Sequence, residues 1–281
     1  NLRQVGLSYV LDAEHALSLC HHVYAGNLTD AIELPETLKR IVTMLDRNQI
    51  EPQSVTLVFD KGTAALDNTL LLEKAKLGWI SALPWNQAPA DLRERDTEQL
   101  SACSSDLPGV RAAAQTSVVH GKEYLCVLKY SASFAGEQLH SLTTSLSKVL
   151  QSMRRLSTDL AKPGCRLQEA QIRSKIERWL SSPFLEDLIR WQLHSDAAHW
   201  RLQFDFDNAA FQKLLSNRLG RTLLLTNRLD WTAERVVAAY ADQQQIEQVF
   251  RGLKDGDWLG WGPMYHWTDT KIRIHAFYCM L

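Results

Sequence analysis

A chain of 281 residues that is 45% hydrophobic and 22% charged carries enough apolar content for one large core or two smaller ones, which excludes an intrinsically disordered chain. Its formal net charge of -1 gives no overall attraction to polyanions, so a nucleic-acid partner would have to be met by a local basic patch. Cys20, Cys103, Cys126, Cys165 and Cys279 are scattered without a C-x-x-C pair, which fits a reduced, cytoplasmic protein, and no apolar run reaches the roughly 18 to 20 residues of a membrane span.

Two partly alternating apolar runs, residues 4–11 and 16–24, flank the turn-like Asp12, Ala13, Glu14 and His15 and predict a β-hairpin. The stretch from Thr29 to Arg47 has Ile32, Leu38, Ile41, Val42 and Leu45 at helical spacing, and a break is expected near Pro35. "SVTLVFDKG" is a short buried-strand pattern ending at Asp60, "TAALDNTLLLEKAKLG" is helical, and "WISALPW" is a further strand. Residues 1–85 therefore predict β-β-α-β-α-β, a mixed sheet with helices on its faces. The polar stretch from Asn86 to Gly109 reads as a linker.

Residues 86–220 read as an insertion with its own core. It opens with a hairpin turning at His120, Gly121 and Lys122. Leu139, Leu142, Leu146, Val149, Met153, Leu156 and Leu160 then step by three and four, a coiled-coil-like seam ended by Pro163 and Gly164. A second amphipathic helix over 167–180 would fold back on the first, and "HWRLQFDF" suggests a strand. Residues 221–281 return to sheet character with "RTLLLTN", followed by a helix through 240–254 and a last helix from about residue 270. The chain opens at Asn1 without Met and stops within a helical pattern, so a fragment of a longer reading frame is expected.

Asp60 falls at the C-terminal end of its predicted strand, where α/β sheets present side chains to a ligand crevice; capping of the next helix is the structural alternative. In "YADQQQIEQVFRGLK" a continuous helix would put Tyr240, Gln243, Glu247 and Lys254 within roughly 60° of one another, beside the apolar stripe of Ile246, Phe250 and Leu253. That placement suits a rigid catalytic carboxylate, and it equally suits a salt bridge rimming a core. A strand-end Asp with a helix Glu offers the hard oxygen ligands that Mg²⁺ requires.

The spacing Tyr240, Gln243, Glu247, Lys254 resembles the Y-R-E-K signature of DDE transposases of bacterial insertion sequences, whose catalytic domain has the RNase H-like fold. "LVFDKG" resembles the strand bearing that family's second Asp. "RTLLLTNRLDWTAERVVAAYADQQQIEQVFRGLK" resembles its approach to the catalytic Glu, and "PMYHWTDTKIRIHAFYC" is similar to the segment beyond. The resemblance runs through essentially the whole chain. It implies an α/β, RNase H-like mixed sheet flanked by helices and interrupted by a mainly helical insertion with a small β part. It further implies metal-dependent cleavage and strand transfer of double-stranded DNA by a homodimer. Two Mg²⁺ ions, with Mn²⁺ as a substitute, would be held by an acidic triad containing Asp60 and Glu247, and Tyr240, Gln243, Arg251 and Lys254 would contact DNA. Gln243 stands where the signature has Arg, which removes a guanidinium fork for phosphate. The family's first Asp lies on a strand before the hairpin, upstream of Asn1, so these residues alone are expected to be inactive. Asp12, at a turn, is not a replacement.

Other features admit plainer readings. Arg251 could pair with Glu247 at i+4 instead of meeting DNA, and Lys254 could be a solvated lysine. His194, Asp196 and His199 suggest a metal cluster but lack a fourth ligand, and are read as a helix end. His21 and His22 are read as structural. Trp179, Trp191 and Trp200 could stack a flipped base, though core packing is the stronger reading for each. Arg154, Arg155, Lys162, Arg166, Arg173, Lys175 and Arg178 could track phosphates or line a solvated helical face. Two alternative functions remain at this point: a non-catalytic DNA-binding or dimerising remnant built on the seam, and a phosphatase- or kinase-like α/β enzyme using "FDKGTAAL" as a phosphate loop.

Overall fold

The computed structural model describes residues 5–60, 66–162, 165, 167–196, 199–257, 266 and 268–280. In chain order it has β1 (Val5–Asp12), β2 (Leu17–Ala25), α1 (Asp30–Arg47), β3 (Thr56–Phe59), α2 (Leu66–Lys74), β4 (Gly78–Ala82), α3 (Ala90–Arg93) and β5 (Ser101–Ala102). Next come β6 (Val110–Val119), β7 (Lys122–Ser131), α4 (Ala132–Leu160), α5 (Glu169–Leu180), α6 (Leu185–Leu188), β8 (Ile189–Asp196), β9 (His199–Phe206) and α7 (Asn208–Asn217). The chain closes with β10 (Arg221–Thr226), α8 (Ala233–Ala241), α9 (Gln243–Lys254) and α10 (Asp269–Met280).

The expected mixed sheet flanked by helices is present. Six strands lie in the order β3-β4-β10-β7-β6-β5, with β3 parallel to β4 and the other neighbours antiparallel. Both faces of its centre are covered, and the period-two alternation of strand side chains shows it. Leu57, Trp79, Cys126, Leu128, Leu223 and Leu225 join one apolar cluster with Leu38, Ile41 and Leu45 of α1 and Leu72 of α2. The intervening Val58, Ile80, Leu125, Val127 and Leu224 pack on the opposite side against Val236 and Val237 of α8.

Three sequence expectations change in detail. Helix α1 runs without interruption through Pro35. The proline removes one backbone donor, and the buried stripe of Leu38, Ile41 and Leu45 holds the helix against the sheet regardless. The stretch read as a linker is packed: Leu92 and Leu100 are buried, a capping box joins Asp96 and Gln99, and Ser101–Ala102 pairs at the sheet edge. Its three leucines, Leu92, Leu100 and Leu107, are too sparse to form a period, so the local pattern could not announce this. The hairpin β6–β7, expected inside the insertion, belongs to the six-stranded sheet, and β1–β2 forms a separate two-stranded sheet.

That small sheet is tied in from both sides. Val10 and Cys20 join the α1 cluster and Ser8 Oγ is 2.7 Å from Thr37 Oγ1. On the alternate face, Tyr9 meets Phe250 of α9 edge-on and His21 lies beside Phe277 of α10. His22 Nδ1 sits 2.5 Å from Glu33 Oε1, so both histidines have structural roles.

The second core lies between β7 and β10. Leu142, Val149, Met153, Leu156 and Leu160 of the long helix α4 pack against Ile172, Ile176 and Leu180 of α5 and against the β8–β9 ribbon. The coiled-coil-like seam is thus consumed within the chain. Where the chain returns to the sheet, Gly220 has φ +73, and a Cβ there would meet Ala135 Cβ and Ser131 O at 2.6 Å. Ile176→Ala should cost about 2 to 5 kcal/mol by leaving a cavity in this second core, measurable as a lower urea midpoint of its unfolding transition.

Tyr124 supplies a pH dependence. Its hydroxyl donates to Glu73 Oε1 at 2.7 Å, and Lys122 Nζ lies 2.6 Å from Glu73 Oε2. Burial first, then Glu73, raises the phenol well above its ordinary value of 10.0. Because the folded value exceeds the unfolded one, its contribution to stability is complete below pH 10.0 and declines as pH rises above it. Alkaline titration of Tyr124→Phe, followed by circular dichroism, should show an unfolding midpoint at higher pH than the parent's. Among the described residues no helix is long and apolar enough to cross a membrane.

Candidate active site

Asp60 immediately follows β3 and is exposed, at the end of an edge strand of the six-stranded sheet. Residues 61–65, which hold the Gly62–Thr63 part of the proposed phosphate loop, lie outside the described residues.

The helix expected through 240–254 is two helices. Helix α8 ends at Ala241 and α9 begins at Gln243, with Asp242 as the shared cap. Tyr240 therefore belongs to α8, while Gln243, Glu247, Arg251 and Lys254 belong to α9. The single-helix angular argument does not extend across this junction. The physical reason is that the two helices serve different apolar surfaces: Val236 and Val237 of α8 cover the large sheet, whereas Phe250 of α9 meets Tyr9 of the hairpin. Gln245 Nε2 also donates to Ala13 O at 3.0 Å, fixing the start of α9 on the hairpin turn.

Tyr240 is half-buried near the end of α8. Its pKa is raised, first by burial and then by the negative charges of Asp60 and Glu247. The two carboxylates belong to a strand end and a separate helix that are remote in sequence. Gln243 is half-buried at the first position of α9, and Glu247, Arg251 and Lys254 are exposed. No ion pair joins Arg251 to Glu247, and Lys254 likewise forms none among the described residues. Among the described residues, the cations on this face are not consumed by internal ion pairs.

Two carboxylates on separate elements offer the hard oxygen chemistry suited to Mg²⁺. Among the described residues, no group of three His, Cys, Asp or Glu side chains forms a metal cluster. Asp12 binds His15, with Nδ1 2.7 Å away, and is a turn carboxylate held below its ordinary pKa chiefly by that bond.

The His194–Asp196–His199 group is on the β8–β9 ribbon, not at a helix end; the side chains of Asp196 and His199 lie outside the described residues. The alternation of "IRWQLHSD" carried that signal. Trp179, Trp191 and Trp200 pack partly buried against the second core. Lys162 and Arg173 pair with Asp159 and Glu169, Arg154, Arg155 and Arg178 are exposed, Lys175 is half-buried, and Arg166 lies outside the described residues. Sequence reasoning placed Phe250 on the apolar stripe of α9 but missed Tyr9 and Ala13 as the partners that seat the helix, because they are too far away in the chain for any local period to reveal.

Comparison with protein-family models, curated proteins and solved structures gave no match for this chain. The fold defines a mixed α/β protein with a six-stranded sheet flanked by helices.

Proposed function

We propose that this chain is the catalytic domain of a DDE-type transposase, performing metal-dependent phosphodiester cleavage and strand transfer at the double-stranded DNA ends of an insertion sequence. The observation that supports the reading is the placement of Asp60 at the end of β3 and of Glu247 on the exposed side of α9. It agrees with the motif resemblance, in which those two residues are metal ligands.

Asp60 and Glu247 would hold Mg²⁺, with Mn²⁺ as a substitute, together with a third carboxylate from a strand preceding β1. Bound there, the ions would supply Lewis-acid activation of a water or 3'-hydroxyl and charge for the leaving oxygen. Tyr240, as a neutral phenol, can donate to a phosphate oxygen. Arg251 and Lys254 on the last turns of α9 would position the DNA backbone, and Gln243 would contribute a neutral amide.

In this reading the metal site needs a third carboxylate beside Asp60 and Glu247. A polypeptide that supplies it should nick the element's ends in Mg²⁺, measured as conversion of a supercoiled plasmid carrying those ends to its open circle. A polypeptide with all three carboxylates that never cuts them would overturn the reading. No observation favours the dimerising remnant, since its seam is buried in the chain, and none favours the phosphate-loop enzyme.

A further inference from the structure

Strand β4 sends Trp79 and Ser81 to one face of the large sheet and Ile80, between them, to the other, as the period of two requires. Both Trp79 and Ser81 are only 1% exposed, and neither Trp79 Nε1 nor Ser81 Oγ has a hydrogen-bond partner among the described residues. Polar neighbours are already committed elsewhere: the Tyr124 hydroxyl donates to Glu73, and Thr226 Oγ1 donates to the Trp79 carbonyl. Burying a donor without an acceptor is costly, so two such atoms side by side call for an explanation. Their side chains line one cavity of about 40 Å³, walled by Leu83, Tyr124 and Leu225. The buried Thr69 of α2 and the exposed Gln87 and His120 border the same space.

We propose that this cavity is a binding site for ordered water, anchored by Trp79 Nε1 and Ser81 Oγ. A water needs roughly 10 to 15 Å³ of such space and benzene needs a cavity of roughly 150 Å³. At about 40 Å³ the cavity admits a few waters and excludes a ring. An indole N–H only donates, so the occupant must offer it an oxygen lone pair, whereas the serine hydroxyl can donate or accept. Neither lysine, arginine nor a carboxylate is among the lining residues, so nothing there would balance a charged occupant. Water meets all of these demands, and the Thr69 hydroxyl, with two lone pairs, can take a further bond from it. The site would join β4 to α2 through solvent, and it does not depend on the transposase reading.

The test is a high-resolution crystal structure of the full chain, repeated on crystals pressurised with xenon. The parent should show density of water size within about 2.7 to 3.2 Å of Trp79 Nε1 and of Ser81 Oγ. It should show no anomalous xenon peak there, because xenon enters cavities that are apolar and dry. Ser81→Ala removes one anchor and should lose the water density beside residue 81. Xenon in the parent cavity without water density would overturn the proposal. Density too large for water, fitting an alcohol or amide from the medium, would overturn it in favour of a small-molecule site. A direct bond from Trp79 Nε1 to a protein oxygen would overturn it as well, and so would unchanged water density in Ser81→Ala. The parent crystal alone can decide against the proposal, so a variant that fails to fold does not protect it. Every one of these outcomes leaves the cleavage reading where it stands.

Discussion

Glu247→Gln is expected to lower Mg²⁺-dependent cleavage at least about 1,000-fold, since removing a metal-ligand charge costs several kcal/mol of transition-state stabilisation. The assay requires the polypeptide that also supplies the third carboxylate. Glu247 is exposed on α9 and has no ion-pair partner among the described residues, so the melting temperature should not change. Loss of cutting without loss of fold separates a ligand from a structural carboxylate. The phosphate-loop enzyme gives Glu247 no role and predicts unchanged turnover. Lys254→Ala and Arg251→Ala should act differently, weakening DNA binding on all sequences and each lowering the salt slope by about one.

The largest effect on stability is expected at Arg221, which is only 3% exposed on β10. One terminal nitrogen donates to Arg93 O at 3.3 Å and Arg95 O at 2.7 Å; the other donates to Thr97 Oγ1 at 3.1 Å and Ser216 O at 2.7 Å. These bonds join the 93–97 segment and the end of α7 to the sheet. Arg221→Met would leave four acceptors without their donor, at a cost of about 3 to 5 kcal/mol. Calorimetry should show a lower melting temperature and two separated transitions where the large sheet and the second core lose their common tie. Arg218 adds to the same junction, stacked 4.2 Å from the centroid of Trp85 and 5.6 Å from that of Phe184.

Much of this architecture was legible from local periodicity. The alternation in "HWRLQFDF" marked β9, and the three-four stepping from Leu142 to Leu160 marked the buried stripe of α4. What periodicity could not carry was the partner of each element. Residues 110–131 have the hairpin pattern whichever sheet they join, and only the pairing of β7 with β10 places them in the large one. The junction at Asp242 was hidden for the same reason, because two helices with compatible phase look like one until their separate packing surfaces are known. At the candidate site, motif spacing singled out Asp60, Tyr240 and Glu247, while the contacts that seat α9, Tyr9 with Phe250 and Gln245 with Ala13, emerge only from tertiary structure.

The most direct measurement is a crystal structure after a Mn²⁺ soak, using anomalous scattering to locate the ion. The expected result is a peak bound by an oxygen of both Asp60 and Glu247, with the two carboxylates about 4 to 8 Å apart, as ligands sharing a cation with bonds of about 2.1 Å require. Carboxylates more than about 12 Å apart, with the ion bound elsewhere, would contradict it.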